Sequence, residues 1–308
     1  MQLIIEHHTR YVYSEPVNYT IQQLRLTPQN GFGQTVKRWE IKVNGELQLA
    51  KDSYGNTTHS LVIDVPHTEI MVIAMGEVET GLPIDRQMHP NTGLPLVVYL
   101  RDTPLTIYNA EIATFALQYK SITQGQMQNE WLESMMYALL ERVEYIPGVT
   151  QVTTSAIEAF ALGKGVCQDH AHVFIACCRS IGLPARYVSG YLFTEDGSLM
   201  QTHAWADVYL NELGWQSFDV SNGCRAGATH VRLATGLDYR TASPVSGMRA
   251  GGGVEGMASS VVVNQAGVAV SQFRKMNAEA LLKQAYLSCE ELSQSALNRQ
   301  AQQAQQQQ

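Results

Sequence analysis

The chain has 308 residues, 45% of them hydrophobic and 16% charged, a balance expected of a soluble globular protein long enough for two domains with sizeable cores. Its net charge of −7 argues against a nucleic-acid or anionic-membrane footprint, and no apolar run approaches the roughly 20 residues that a membrane span needs. The start, Met1 to His8, lacks the basic segment and long apolar core of a secretory leader, so a cytoplasmic location is expected.

Residues 1 to about 80 read as strands and turns. Residues 3–13 alternate, Ser14-Glu15-Pro16 reads as a turn, and residues 19–26 continue the alternation. Asn30-Gly31-Phe32-Gly33, Asn44-Gly45 and Tyr54-Gly55-Asn56 mark further turns between strands at 35–43, 60–65 and 70–75. At least five strands predict an all-β, sandwich-like domain over residues 1–85. Prolines and glycines make 81–104 linker-like. Trp131, Leu132, Met135, Met136, Leu139, Leu140 and Val143 then recur at helical spacing, ended by Pro147-Gly148. Ser155 with Glu158 forms a capping box for a short helix running into Gly163.

From Gly163 to Asn222 the residues carry chemistry. Ala171, Phe174, Ile175, Cys178 and Ile181 repeat at helical spacing, and Gly182 followed by Pro184 stops the helix. Gly163 and Gly165 break the chain upstream, which puts Cys167 in the first turn, where unpaired N–H groups and the helix dipole favour a thiolate. A strand over 185–192 follows. Residues 202–210 alternate, with His203, Trp205, Asp207 and Tyr209 on one face, and residues 215–219 form the next strand. A thiol nucleophile needs a base, and the base needs an acceptor on its other ring nitrogen; His203 and Asp219 fit those two jobs. Closing this hairpin with Asn211 to Gly214 alone would set Asp219 opposite Ala206, on the wrong face. An odd loop or a β-bulge is therefore expected.

Four blocks, Gly165 to His172, Gly182 to Tyr191, His203 to Tyr209 and Trp215 to Gly223, closely resemble in order and spacing the core of the bacterial transglutaminase-like proteins of cysteine-protease type. The first 80 residues or so resemble the N-terminal domain usually attached to them. The resemblance implies an α+β chain. Its N-terminal β domain would precede a papain-like core over 86–270, with the Cys167 helix packed on an antiparallel sheet, and a C-terminal helix and glutamine-rich tail over 271–308. It further implies a Cys167, His203, Asp219 triad doing thiol acyl transfer on a peptide or protein substrate, most simply as a peptidase or amidase. Val220-Ser221 departs from the Pro-Thr that many relatives carry after the aspartate.

Other readings stand beside this one. The acceptor could be an amine, which would make the protein a crosslinking transglutaminase, or the module could be a silent scaffold. Gln168 and Asp169 follow the nucleophile, near N–H groups that could face an oxyanion. Trp205 is either a core aromatic or a cover over the thiol and its base. Cys167, His170, His172, Cys177, Cys178 and His203 lack the compact ligand pairs of a zinc site, so neither metal nor cofactor is expected. Five sparse cysteines make no disulfide framework. Gly251-Gly252-Gly253 lacks the strand and helix of a phosphate cradle and reads as a mobile loop between a strand at 231–234 and one at 259–264. A helix over 277–297 and disorder after Gln300 end the chain.

Overall fold

A computed structural model describes residues 1–83, 94–120, 128–195, 202–267 and 278–306. The N-terminal strands are β1 (Gln2–Leu24), β2 (Gln34–Val43), β3 (Glu46–Lys51), β4 (Thr57–Ile63) and β5 (His67–Thr80). β1 runs through Ser14-Glu15-Pro16 instead of ending there. These three residues are exposed, and strand pairing is interrupted at them on both edges: with β5 between Val12 and Val17, and between β14 at Tyr13 and β13 at Val17. Proline, which has no N–H to donate, is tolerated at such an interruption.

Then come α1 (Ala110–Tyr119), α2 (Gln128–Arg142), β6 (Glu144–Tyr145), α3 (Ala156–Leu162), β7 (Lys164–Gly165) and α4 (Cys167–Ser180). The antiparallel strands of the second sheet are β8 (Ala185–Leu192), β9 (Thr202–Leu210), β10 (Gly214–Asp219), β11 (Cys224–Arg225) and β12 (His230–Gly236). A short α5 (Tyr239–Ala242), β13 (Val245–Gly251), β14 (Glu255–Gln265) and α6 (Ala278–Gln306) complete the described chain. The fold is α+β.

The expected N-terminal all-β domain is present as one seven-stranded, near-barrel sheet of order β2-β5-β1-β4-β3, with β13 and β14 also paired to β1. β13 and β14, which follow the second sheet in the chain, thus return to the N-terminal strands. In the glycine-rich 247–256 stretch, Gly251, Gly252 and Gly253 take positive φ where the chain turns from β13 to β14. The flanking residues are strand, and there glycine serves close approach: a Cβ on Gly256 would lie 2.2 Å from the Ala285 carbonyl of α6. One expectation changes, since α6 runs to Gln306, into the tail expected to be disordered. Of the expected linker, 84–93 lies outside the described residues, and its later part forms a 3₁₀ turn, Leu96–Leu100, anchored by buried Tyr99.

The five-stranded sheet, order β11-β10-β9-β8-β12, packs one face on α4. The expected apolar face of α4 is buried, and so is nearly every other residue from Asp169 to Arg179, because α1, α2 and α3 also surround the helix. Buried Arg179 donates to the carbonyls of Tyr99, Ala185 and Leu237, fixing the helix end. The edge strand β12 is closed by two amide side chains, Gln34 at the start of β2 and Asn56 just before β4. Gln34 donates to the Arg232 carbonyl at 2.9 Å and accepts its N–H at 2.8 Å. Asn56 does the same to Thr235 at 2.7 and 2.8 Å. Each amide stands in for a peptide group, so this edge offers fewer free pairing groups to another chain. Tyr191, Val231 and Leu233 share an apolar core with Leu3, Ile5 and Leu61, which joins the two sheets.

Candidate active site

Cys167 opens α4 and is half-buried. The first N–H groups of a helix have no intrahelical partner, so donors are gathered beside the sulfur. Asp169, three positions past the N-cap, turns back instead of outward. Its Oδ2 accepts from the Val166 N–H at 2.8 Å and from the Thr150 hydroxyl at 2.7 Å. Burial raises its pKa, with those hydrogen bonds opposing. The Asp169 side chain is thus a buried cap, and it is the backbone N–H groups beside it that remain available to an oxyanion. Gln168 stays at the surface and donates to the Val152 carbonyl at 3.1 Å.

His203 Nε2 donates to Asp219 Oδ2 at 2.8 Å, and the Cys167 thiol is within hydrogen-bond reach of the same imidazole. Nδ1 is the nitrogen left for the sulfur. Hairpin parity makes this possible. The loop between β9 and β10 is Asn211–Leu213, an odd count, and Gly214 pairs with Leu210 and Phe218 with Ala206. Asp219 consequently continues on the same face as Trp205 and His203.

Burial alone would lower the pKa of His203; the hydrogen bonds and charges of Asp219 and Cys167 outweigh it and hold the imidazole at about 10. Burial would likewise raise the pKa of Asp219, but its donors keep it well below the ordinary carboxylate range. The site therefore favours imidazolium beside carboxylate.

Two of those donors were missed in the sequence. Asn222 donates its amide to Asp219 Oδ2 at 2.6 Å and its backbone N–H to Oδ1 at 3.3 Å. The Asp-x-x-Asn spacing was the available signal, since aspartate accepts locally from following residues. Buried His230, on β12, donates from Nε2 to the same Oδ2 at 3.0 Å. No local pattern links it to Asp219.

Trp205 is fully buried. Its ring lies edge-on to His230 at 5.2 Å and tilted against His203 at 6.2 Å. A Cβ on Gly190 would come within 2.5 Å of its six-membered ring, so glycine makes the room. Trp205 is thus a core aromatic whose ring also lies against the His203 and His230 rings. Further along β9, buried Asp207 binds Arg186 at 2.9 Å and Arg232 at 2.7 Å. Burial would raise its pKa, but the two guanidiniums hold it at about 2.

Among the described residues, His203, Asp219 and His230 form the one grouping whose ligand atoms, within 4.8 Å of one another, approach metal spacing. Both Nε2 atoms are engaged as donors to Oδ2, so neither offers a lone pair. His170 donates to the Val143 carbonyl at 2.7 Å and accepts from Ser221, the residue of the departing Val-Ser pair, at 2.9 Å. His172 accepts the Tyr239 N–H at 3.1 Å; burial, then Arg179, lowers its pKa to about 3.

A cysteine at the start of a buried helix, packed on an antiparallel sheet that carries histidine and aspartate, is the arrangement of papain-like thiol enzymes. Residues 118–220 match the transglutaminase-like superfamily, and residues 3–79 match the bacterial transglutaminase-like N-terminal region. The chain belongs to the transglutaminase-like superfamily. It is similar to an uncharacterized protein of Mycobacterium leprae, 27% identical over 265 residues covering 81% of this chain and 93% of that one. An uncharacterized protein of Mycobacterium tuberculosis is 26% identical over 271 residues, covering 79% and 86%. Among solved structures, one described as "a Putative Cysteine Protease from Cytophaga hutchinsonii" superposes with TM-score 0.67 at 21% identity, covering 86% of this chain and 90% of that one. At that identity the likeness speaks to the fold.

Proposed function

We propose that this protein is a thiol-dependent acyl-transfer enzyme that cleaves peptide or carboxamide bonds, with water as the usual acceptor. The observation that carries the reading is the placement of His203, which is bound to Asp219 at 2.8 Å and lies close enough to the Cys167 thiol to interact with it. In the first half-reaction the Cys167 sulfur bonds to the carbonyl carbon, its proton having passed to His203. The oxyanion forms against the N–H groups at the start of α4. His203 then protonates the leaving amine as the C–N bond breaks, leaving a thioester. Water adds to the thioester carbonyl as its proton passes to His203, and the C–S bond then breaks to release the free acid and a Cys167 thiolate beside the imidazolium. Asp219 keeps the imidazole oriented throughout.

An apolar shelf supports a peptidic substrate. Tyr145, Val149 and Val152 are exposed on the segment that Thr150 and Gln168 tie to the start of α4. A primary amine could replace water and give crosslinking; the measured ratio of products decides between them. The test is incubation with an unfolded protein and a fluorescent primary amine. Free acid as the main product, abolished by Cys167→Ala, fits hydrolysis. Amine incorporation exceeding hydrolysis would make the protein a crosslinker, and no covalent adduct with any carbonyl electrophile would leave a scaffold.

A further inference from the structure

We propose that His230 is a positioning residue of the site, an uncharged imidazole that holds the far side of the Asp219 carboxylate while His203 takes the near side. The proposal rests on the thiol-enzyme reading above and adds a residue to it.

The hydrogen bonds fix the tautomer of the neutral ring. His230 Nδ1 accepts from the backbone N–H of Gly227 at 3.2 Å and from the Thr229 hydroxyl at 3.1 Å. A nitrogen that accepts a backbone N–H carries no proton of its own, so the ring proton is on Nε2, 3.0 Å from Asp219 Oδ2. The turn that supplies the acceptor bond is closed in both directions, because the His230 N–H returns to the Gly227 carbonyl at 3.0 Å. Oδ2 thereby receives His203, His230 and Asn222.

A carboxylate that accepts several donors is held in its charged form and in one rotamer. A cationic partner in place of His230 would compete with His203 for the same charge; a neutral one does not. The cations nearby are kept elsewhere. Arg232 is paired with Asp207 and Arg225 with Glu133, although both line the cavity of about 300 Å³ that His230 also lines. The other titratable groups facing Asp219 and His203 are Cys167 and His170 on α4, Tyr145 on β6 and Cys224 on β11.

Two measurements test the assignment. The first is the pH profile of the alkylation rate at Cys167 with iodoacetamide, in the full chain. His230→Ala, folded by circular dichroism, should move the acid limb up by about one pH unit, a tenfold loss of rate on that limb. His230→Gln keeps a neutral N–H donor and should stay within about threefold of wild type. Profiles for His230→Ala and wild type that coincide overturn the proposal, as does a folded His230→Gln no better than His230→Ala. The second is the ¹⁵N spectrum of the wild-type histidines at pH 8, which stands even if His230→Ala fails to fold. His230 should report the Nε2–H tautomer, and an Nδ1–H signal overturns the proposal. A wild type whose Cys167 reacts no faster than Cys224 overturns the thiol-enzyme reading itself, and this proposal with it, through a readout separate from the spectrum.

Discussion

At the scale of single residues, opposing effects meet on His203. Burial favours its neutral form, and Asp219 together with Cys167 favours the cation strongly enough to place the pKa at about 10. The stabilisation from this raised pKa is full below the unfolded value near 6.5 and is lost as pH rises through about 10. Asp219 works the other way: its depressed pKa contributes stability above the ordinary carboxylate value, lost as pH falls through the folded one. Replacing Asp219 by Asn leaves burial as the main influence on the ring. The His203 titration, followed by NMR, should then fall from about 10 toward or below 6.5. An unchanged titration would mean that the carboxylate does not hold the imidazole. Cys167, His203 and Asp219 were legible because helix-start chemistry and strand alternation are local signals. His230 was not, since it reaches the carboxylate from another strand, and hydrogen bonds across strands leave no spacing in the sequence.

Among the elements, the β9 to β10 hairpin was the most legible. Its alternation required Asp219 on the odd face, and the three-residue loop Asn211–Leu213 supplies that parity. Asp169 shows where the reading stopped short: its place after Cys167 pointed to the neighbouring N–H groups, but not to its own carboxylate closing the first turn of α4. Asp169→Ala should therefore lower stability by about 1 kcal/mol or more, as loss of a helix cap does, read as a shift of the urea midpoint. A midpoint equal to wild type would deny the cap any energetic role. The glycines of 247–256 were read only in part, the turn at Gly251 to Gly253 but not the strands beside it, because glycine signals both freedom and closeness, and only the packed partner tells them apart. At Gly256 the partner is α6, whose Ala285 carbonyl would lie 2.2 Å from an added Cβ. Gly256→Ala should lift α6 from β14 and make it an early site of limited proteolysis. Cleavage at the wild-type rate would show that the helix tolerates the methyl group.

On the scale of the whole molecule, the chain's two ends meet on β1, and Gln34 and Asn56 bind the second sheet to that assembly. Strands separated by more than two hundred residues leave no local pattern, so the seven-stranded sheet could not be read from turns and alternation alone. Gln34→Ala strips partners from two backbone groups of β12 and should cost about 2 kcal/mol or more of stability; a cost near zero would mean that water replaces the amide freely. The same fold sets the five cysteines apart. Cys177, Cys178 and Cys289 are buried, and burial pushes the pKa values of Cys177 and Cys178 far up. Cys224 is raised to about 11 by burial and by Asp219. Cys167 alone is half-exposed with a base in reach. The most direct measurement is iodoacetamide labelling of the native protein at pH 6 with peptide mapping. The account predicts that Cys167 is labelled first and that His203→Ala, still folded, slows it by about a hundredfold, the scale of a lost general base. Labelling of Cys224 at the same rate, or a rate at Cys167 unchanged by His203→Ala, would contradict it.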